Sequence, residues 1–316
     1  MQDFLQSLSF SFSITGPIFV VLLLGIYLNR THFINDNFIE VGSKLVFNIT
    51  LPALMFISIS RTSIAESANV KLVVYGLIGT AVTYAMLELL ARFAVVKRED
   101  RGVVVQGAFR SNMGIIGLAY CVNAYGHAGL VAASFYLALV TILYNILSVF
   151  TLNRSMNRDG SSATYIRGIV GNPIILSIVA ALPFAAFEWP LPSLFVRSGE
   201  YFAQMTLPLA LLCTGASLNF KALRADMSSA MLSAICKLLV VPILLIGGGV
   251  ALGFRDVELG VLALMSSAPT AAASYVMVRA MGGNSALAAN IIVLTTLGSL
   301  FTASLIMFVL HGLGLL

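Results

Sequence analysis

The feature that most limits what this chain can fold into is a succession of apolar runs, each close to twenty residues, separated by short polar turns. Such runs fall near 10–28, 41–60, 71–96, 102–123, 128–152, 166–187, 198–219, 226–252, 257–280 and 286–311. A helix needs about 20 apolar residues to cross the hydrocarbon of a bilayer. The pattern therefore predicts an all-α polytopic membrane protein of about ten transmembrane helices. Composition agrees: 59% of the 316 residues are hydrophobic and 10% are charged, against about 25% charged in soluble domains. No room is left for a sizeable soluble domain. The opening MQDFLQSLSFSF has no basic n-region or cleavage site, so the first run reads as a retained helix and not as a signal peptide.

Charge placement sets orientation. With the N-terminus outside, the cytoplasmic turns hold Arg30, Arg92, Lys97, Arg98, Arg101, Arg154, Arg158, Arg167, Lys221, Arg224 and Arg279, and the outer turns hold only Arg61, Lys71, Arg197 and Arg255. By the positive-inside rule both termini are expected outside a bacterial cytoplasmic membrane. The formal charge of +5 is thus a matter of topology, and no nucleic-acid partner is expected. Cys121, Cys213 and Cys236 lie in apolar runs at no metal-ligand spacing and read as buried apolar groups. No metal, cofactor or catalytic residue is expected, so the chain does not read as an enzyme.

An internal repeat is visible at one separation. Pro17-Ile18 recurs as Pro173-Ile174, Thr50-Leu51-Pro52 as Thr206-Leu207-Pro208, Gly126 as Gly282, Ala132-Ala133 as Ala288-Ala289 and Ser148 as Ser304, each pair 156 residues apart. The polar stretch Asn153–Tyr165 reads as the linker, so residues 1–160 and 161–316 are expected to be two five-helix repeats. An odd number of spans per repeat forces the second to be inverted. Folds of this kind are typically alternating-access transporters with the site where the repeats meet.

Spans 4 and 9 carry the signals of a broken helix. The fourth reads Gly107-Ala-Phe-Arg-Ser-Asn-Met-Gly114, and the ninth Met265-Ser-Ser-Ala-Pro-Thr-Ala271. Irregular backbone is tolerated at membrane depth only where protein or a water-filled cavity satisfies it. At the 156-residue separation Met113 matches Pro269, which predicts that both helices break at the same place and cross there. Free amides at half-helix N-termini favour an anion. Asn112, Ser111, Gly114, Ser267, Pro269 and Thr270 are the candidate substrate-binding residues. Arg110 is the candidate fixed charge, although it could instead snorkel into a vestibule. Pro52, Pro208 and Met113 mark helix breaks or scaffold positions. Lys237 is a second intramembrane cation, suited to pairing with a carbonyl. Two i,i+4 ion pairs are expected, Glu40–Lys44 and Glu88–Arg92. Gly247-Gly248-Gly249 reads as a flexible or close-packing point.

Several of these stretches together resemble the auxin efflux carrier family, and its bacterial members in particular. The matching stretches are Leu45-Val-Phe-Asn-Ile-Thr-Leu-Pro-Ala-Leu-Met-Phe56, Gly171-Asn-Pro-Ile-Ile175, Pro208-Leu-Ala-Leu-Leu-Cys-Thr-Gly-Ala-Ser-Leu218, Lys237 with Pro242, Ala268-Pro-Thr and Thr295-Thr296. The resemblance covers essentially the whole chain. It implies a scaffold of spans 1, 2, 6 and 7 holding a mobile unit with crossed spans 4 and 9, in a fold related to the bile-acid/sodium symporters. It also implies substrate beside Asn112 and Pro269, and a small organic anion as cargo: auxin in plant members, small carboxylates such as malate or malonate in bacterial ones. Met113-Gly114 stands where a proline is expected, and the long central loop of plant carriers is missing, so auxin itself is not the expected cargo. A homodimer and coupling to protons or sodium are compatible with this family.

Two other readings stay open. One is a sodium-coupled symporter of the bile-acid type, whose neutral oxygen ligands need no acidic residue. The other is a membrane sensor that binds a ligand without moving it.

Overall fold

In the computed structural model, residues 2–61, 70–156, 173–218 and 226–316 are described. All regular structure in them is helical. α1 is Gln2–Arg30, α2 Asp36–Leu45, α3 Leu51–Ser60, α4 Val70–Ala94, α5 Arg98–Phe109, α6 Leu118–Met156, α7 Pro173–Phe187, α8 Ser193–Ala216, α9 Met227–Ile235, α10 Val241–Ala251, α11 Asp256–Ser267, α12 Ala273–Ala280 and α13 Ser285–Gly312. Five helical stretches are long and apolar enough to cross a membrane: Asp36–Ser60, Val70–Ala94, Met113–Met156, Met227–Ala251 and Ser285–Gly312. Met113–Met156 is two helical arms that meet at a sharp kink at Gly126, whose φ of 57° is left-handed, a conformation open to glycine at little cost. The expected spans 4 and 9 are each two pieces, and α7 has 15 described residues, about 22 Å of helix.

Two of the long stretches pass through a π-helical turn, Val46–Thr50 between α2 and α3 and Cys236–Val240 between α9 and α10. Each turn ends two residues before a proline, Pro52 or Pro242. Proline has no N–H for the carbonyl one turn earlier, and a wider turn absorbs the mismatch without ending the helix. Pro52 therefore marks a π turn, whereas Pro208 sits inside the unbroken α8. Of the two alternatives for Pro208, a break or a scaffold position, the break does not occur, because a single missing hydrogen bond bends a helix without severing it.

The helices pack in two groups. α3 lies along α7 and α8, and α8 lies along α1; α4, α5, α6, α9, α10, α11, α12 and α13 form the other group, touching the first mainly through α1 against α13 and α6. α1 and α8 meet at backbone distance. A Cβ on Gly25 would come within 2.3 Å of the Leu212 carbonyl oxygen, and one on Gly215 within 2.1 Å of the Leu22 carbonyl oxygen. Without a hydrophobic drive between helices in lipid, such close contact is what holds them. Gly248 and Gly249 are close-packing points as well, facing Tyr75 and Leu262.

Helix ends gather at two opposite poles. At one, Arg61 pairs with Glu200 at 2.5 Å beside an aromatic group of Phe56, Phe184, Trp189 and Phe195, a composition suited to a membrane–water interface. At the other, Lys97 pairs with Asp226 at 3.3 Å. There Asn284, which caps α13, donates to Asp226 Oδ2 (2.8 Å) and Asp100 Oδ1 (3.0 Å).

The expected Glu40–Lys44 pair forms at 2.6 Å. The expected Glu88–Arg92 pair does not. Glu88 turns toward α6, where it accepts from Thr151 and faces Arg154 at 3.7 Å, and it also accepts from Tyr84 Oη of its own helix (3.0 Å), while Arg92 stays exposed. Buried partners on another helix outcompete a solvated i,i+4 contact worth only a few tenths of a kcal/mol. Cys121, Cys213 and Cys236 are buried free thiols. Asn153–Met156 of the expected linker continues α6. The remainder of that linker lies outside the described residues, as do Arg158, Arg167, Lys221, Arg224 and Gly171.

Candidate functional site

Two broken helices meet near the middle of the second group. α5 ends at Phe109, and the chain turns extended at Arg110 (φ −81°, ψ 96°) and passes Asn112 (φ −78°, ψ 62°) before a π turn, Met113–Gly117, leads into α6. α11 ends at Ser267, and Ala268 (φ −59°, ψ 142°) starts the break that closes at α12. The two extended pieces cross antiparallel. The Asn112 N–H donates to the Pro269 carbonyl at 2.7 Å and the Ala271 N–H to the Arg110 carbonyl at 3.0 Å, with Ser111 opposite Thr270. Each break thus satisfies part of the other's backbone, which makes a paired crossing stable where a single break would leave orphaned groups.

The breaks are close to, but not in, the register predicted from the repeat. α5 and α11 have 12 residues each, yet their ends, Phe109 and Ser267, lie 158 residues apart and not 156. The second break is therefore displaced by two residues from the position that the repeat gives.

Around the crossing the side chains diverge. Thr270 Oγ1 donates to the Gly107 carbonyl at 2.6 Å, and the Thr270 N–H donates to Thr295 Oγ1 at 3.1 Å, tying the crossing to α5 and α13. Ser111 Oγ accepts from Lys237 Nζ, which also donates to the Ser266 carbonyl at 2.8 Å. Lys237 is fully buried and caps the C-terminal end of α11, where a cation opposes the negative end of the helix dipole. Arg110 is 7% accessible. Its guanidinium donates to Asn145 Oδ1 at 2.7 Å and Ser148 Oγ at 3.1 Å, both on α6, and rests on the Met277 sulfur. Neither cation is in an ion pair among the described residues.

Asn112 differs from its neighbours. Its side-chain amide has no hydrogen bond among the described residues and keeps 7% accessibility. Next to it Gly114 approaches Leu51 of α3 at 3.6 Å from its would-be Cβ, so this side of the crossing faces the first helix group beside Pro52. Ser267 Oγ, Ser274 Oγ and Gln106 Oε1 are buried without a partner among the described residues, leaving polar capacity unfilled around the crossing. Pockets open elsewhere, one of about 730 Å³ beside Arg61 and Trp189 and one of about 550 Å³ beside Arg98 and Asn284. The polar residues of the crossing are themselves buried.

The structure thus brings Arg110, Ser111, Asn112, Ser267, Pro269 and Thr270 together, with Gly114 and Met113 at its margin. Sequence reasoning missed Asn145, Gln106 and Ser274. Polar side chains within the apolar runs were the available signal for them.

A helical, multi-pass membrane protein with paired helix breaks at its centre has the build of a membrane transporter. Comparison with known proteins agrees. The profile of the membrane transport protein family matches residues 13–307, and the chain belongs to that family, as its resemblance to the auxin efflux carriers implied. An uncharacterized transporter of Methanothermobacter thermautotrophicus is 24% identical over 82% of this chain and 85% of its own length. The uncharacterized transporter YfdV of Escherichia coli is 22% identical over 93% and 95%. A Rhizobium meliloti protein named as a candidate malonate transporter is 25% identical over 85% and 86%. The chain is a transporter and not an enzyme.

Proposed function

We propose that this transporter carries a small organic anion by alternating access, with the cargo bound at the crossing against Asn112, Gly114 and the half-helix N-termini. The observation that carries the reading is the pair of buried cations, Arg110 and Lys237, which flank the crossing with neutral partners only. Burying an ion without a counter-charge costs several kcal/mol, and a bound carboxylate would offset that cost. The free amide of Asn112 supplies a donor without breaking any existing bond. Ser267 and Thr270 line the crossing behind it, and Pro269 keeps the second break open.

In this reading the chain is two inverted repeats, 1–160 and 161–316, giving ten spans in a bacterial cytoplasmic membrane with both termini outside. The first helix group, with Pro52 and Pro208, is the scaffold, and the crossing moves with the second group. Small dicarboxylates head the list of cargoes because a 25% identical relative bears malonate in its name. Export is the expected direction.

The test is the current from purified protein in liposomes challenged with a panel of small carboxylates. A saturable response to one of them, lost by about a hundredfold or more in Asn112→Ala, is the expected result. A response that needs sodium would favour the bile-acid type of symport. Binding of a carboxylate with no flux, electrical or isotopic, would favour a sensor and overturn the proposal.

A further inference from the structure

At the pole that carries Lys97 and Asp226, four arginines from three helices converge on one cavity of about 190 Å³. Arg92 comes from the end of α4, Arg98 and Arg101 from the first turn of α5, and Arg154 from the last turn of α6. Glu88 is the lone carboxylate in the wall, and it is already engaged by Tyr84, Thr151 and Arg154. Arg101 uses its Nε on the Val95 carbonyl at 2.9 Å, leaving its terminal nitrogens to the cavity. Arg92 and Arg98 make no hydrogen bond or ion pair among the described residues. The first turn of α5 has no side-chain cap.

Orientation by the positive-inside rule needs arginines in the turns, but it does not need four of them to face one hollow. Guanidiniums that line one small cavity repel one another, and an anion with several oxygens, which Arg binds in bidentate fashion, would relieve that repulsion. Close to these arginines in sequence, the same stretches of chain expose apolar side chains: Leu89, Phe93 and Val96 around Arg92, and Ile146 and Phe150 ahead of Arg154, with Phe93 84% and Val96 93% accessible. Guanidiniums above an apolar wall match a phosphate above acyl chains.

We propose that this pocket binds the phosphate of an anionic phospholipid headgroup, which braces α4, α5 and α6 together at the membrane surface. The site is separate from the crossing and does not depend on which cargo is carried.

The experiment follows the thermal unfolding midpoint of the full chain in detergent. It is titrated with phosphatidylglycerol, with phosphatidylcholine and with inorganic phosphate, in wild type, Arg92→Gln/Arg98→Gln and Arg279→Gln. Arg92 and Arg98 are exposed and have no partner among the described residues, so the double variant is expected to match wild type without lipid. Phosphatidylglycerol should raise the midpoint in wild type and in Arg279→Gln, with phosphatidylcholine inert. The double variant should need about tenfold more of it or more. Inorganic phosphate reproducing the full effect would keep an oxyanion site but overturn the headgroup. Equal titrations for wild type and the double variant would overturn the site itself.

Discussion

The two helix breaks reach one geometry by different means. The break after α11 contains Pro269 among small residues, whereas the break after α5 contains no proline and is built from Arg110, Ser111 and Asn112. Both are extended, and each supplies one backbone donor and one acceptor to the other. The cations also arrive differently. Arg110 belongs to the first break and is held by Asn145 and Ser148 of α6, while Lys237 reaches the second from the π turn between α9 and α10. The difference teaches that a break need not be written locally. The first is held open largely by its partner, because a continuous α5–α6 helix would forfeit the bonds to Pro269 and Ala271.

The largest expected effect comes from removing the cation that joins the two breaks. Lys237→Met exposes the Ser266 carbonyl and leaves Ser111 without its donor, each costing about 1–3 kcal/mol. Transport should fall about a hundredfold or more, with the protein still folded in the membrane. Lys237→Gln separates hydrogen bonding from charge. Recovery with Gln in liposome flux would mean that Lys237 serves the crossing as a donor only, and that Arg110 alone supplies the fixed charge.

A smaller effect is expected at Pro269. If mutual pairing sets the crossing, Pro269→Ala loosens the second break by about 0.4–1 kcal/mol, and transport should drop about two- to fivefold. Initial rates at saturating cargo would check this. A loss as deep as that of Asn112→Ala would mean that proline alone opens the second break, and the two breaks would then differ in cause as well as in sequence.

Much of this arrangement was legible beforehand, and the illegible parts have a common reason. The apolar runs located α4, the stretch from α9 through α10, and α13 to within a few residues, since span length is set by membrane thickness and written in consecutive residues. Pro269 and the run Arg110-Ser111-Asn112 flagged the breaks for the same reason: each is a local offence against an apolar helix. Partners on other helices leave no such mark. Glu88 was expected to meet Arg92 four residues on, but meets Arg154 on α6 instead. Nothing in the spacing shows that Asn145 and Ser148 clasp Arg110. The two-residue shift of the second break against the repeat was hidden as well, because the matching residues flank the break and do not lie in it.

The smallest effect lies at the far ends of the two crossing helices, which are tied down in different ways. α5 is anchored by Asp100 to Asn284, and Asn284 in turn to Asp226, whereas α11 is anchored through its backbone, the Asp256 N–H donating to the Leu315 carbonyl at 3.0 Å. Hydrogen bonds from Asn284 and Lys97 hold the Asp226 carboxyl below its usual range. A carboxyl so lowered contributes stability that is complete above its unfolded pKa, about 4, and is lost as the pH falls through the lower folded value. The pair with Lys97 is largely solvated, so the contribution is under about 1 kcal/mol. Between pH 6 and the onset of acid unfolding, amide exchange should therefore quicken slightly at the start of α5 and α13, after correction for its intrinsic pH dependence, and stay level at the start of α11. Asp226→Asn should remove that difference, because the asymmetry comes from a titrating side chain on one side and an untitratable backbone bond on the other. Equal quickening at both helices would mean that acid loosens both poles alike, and that the two anchors do not act separately.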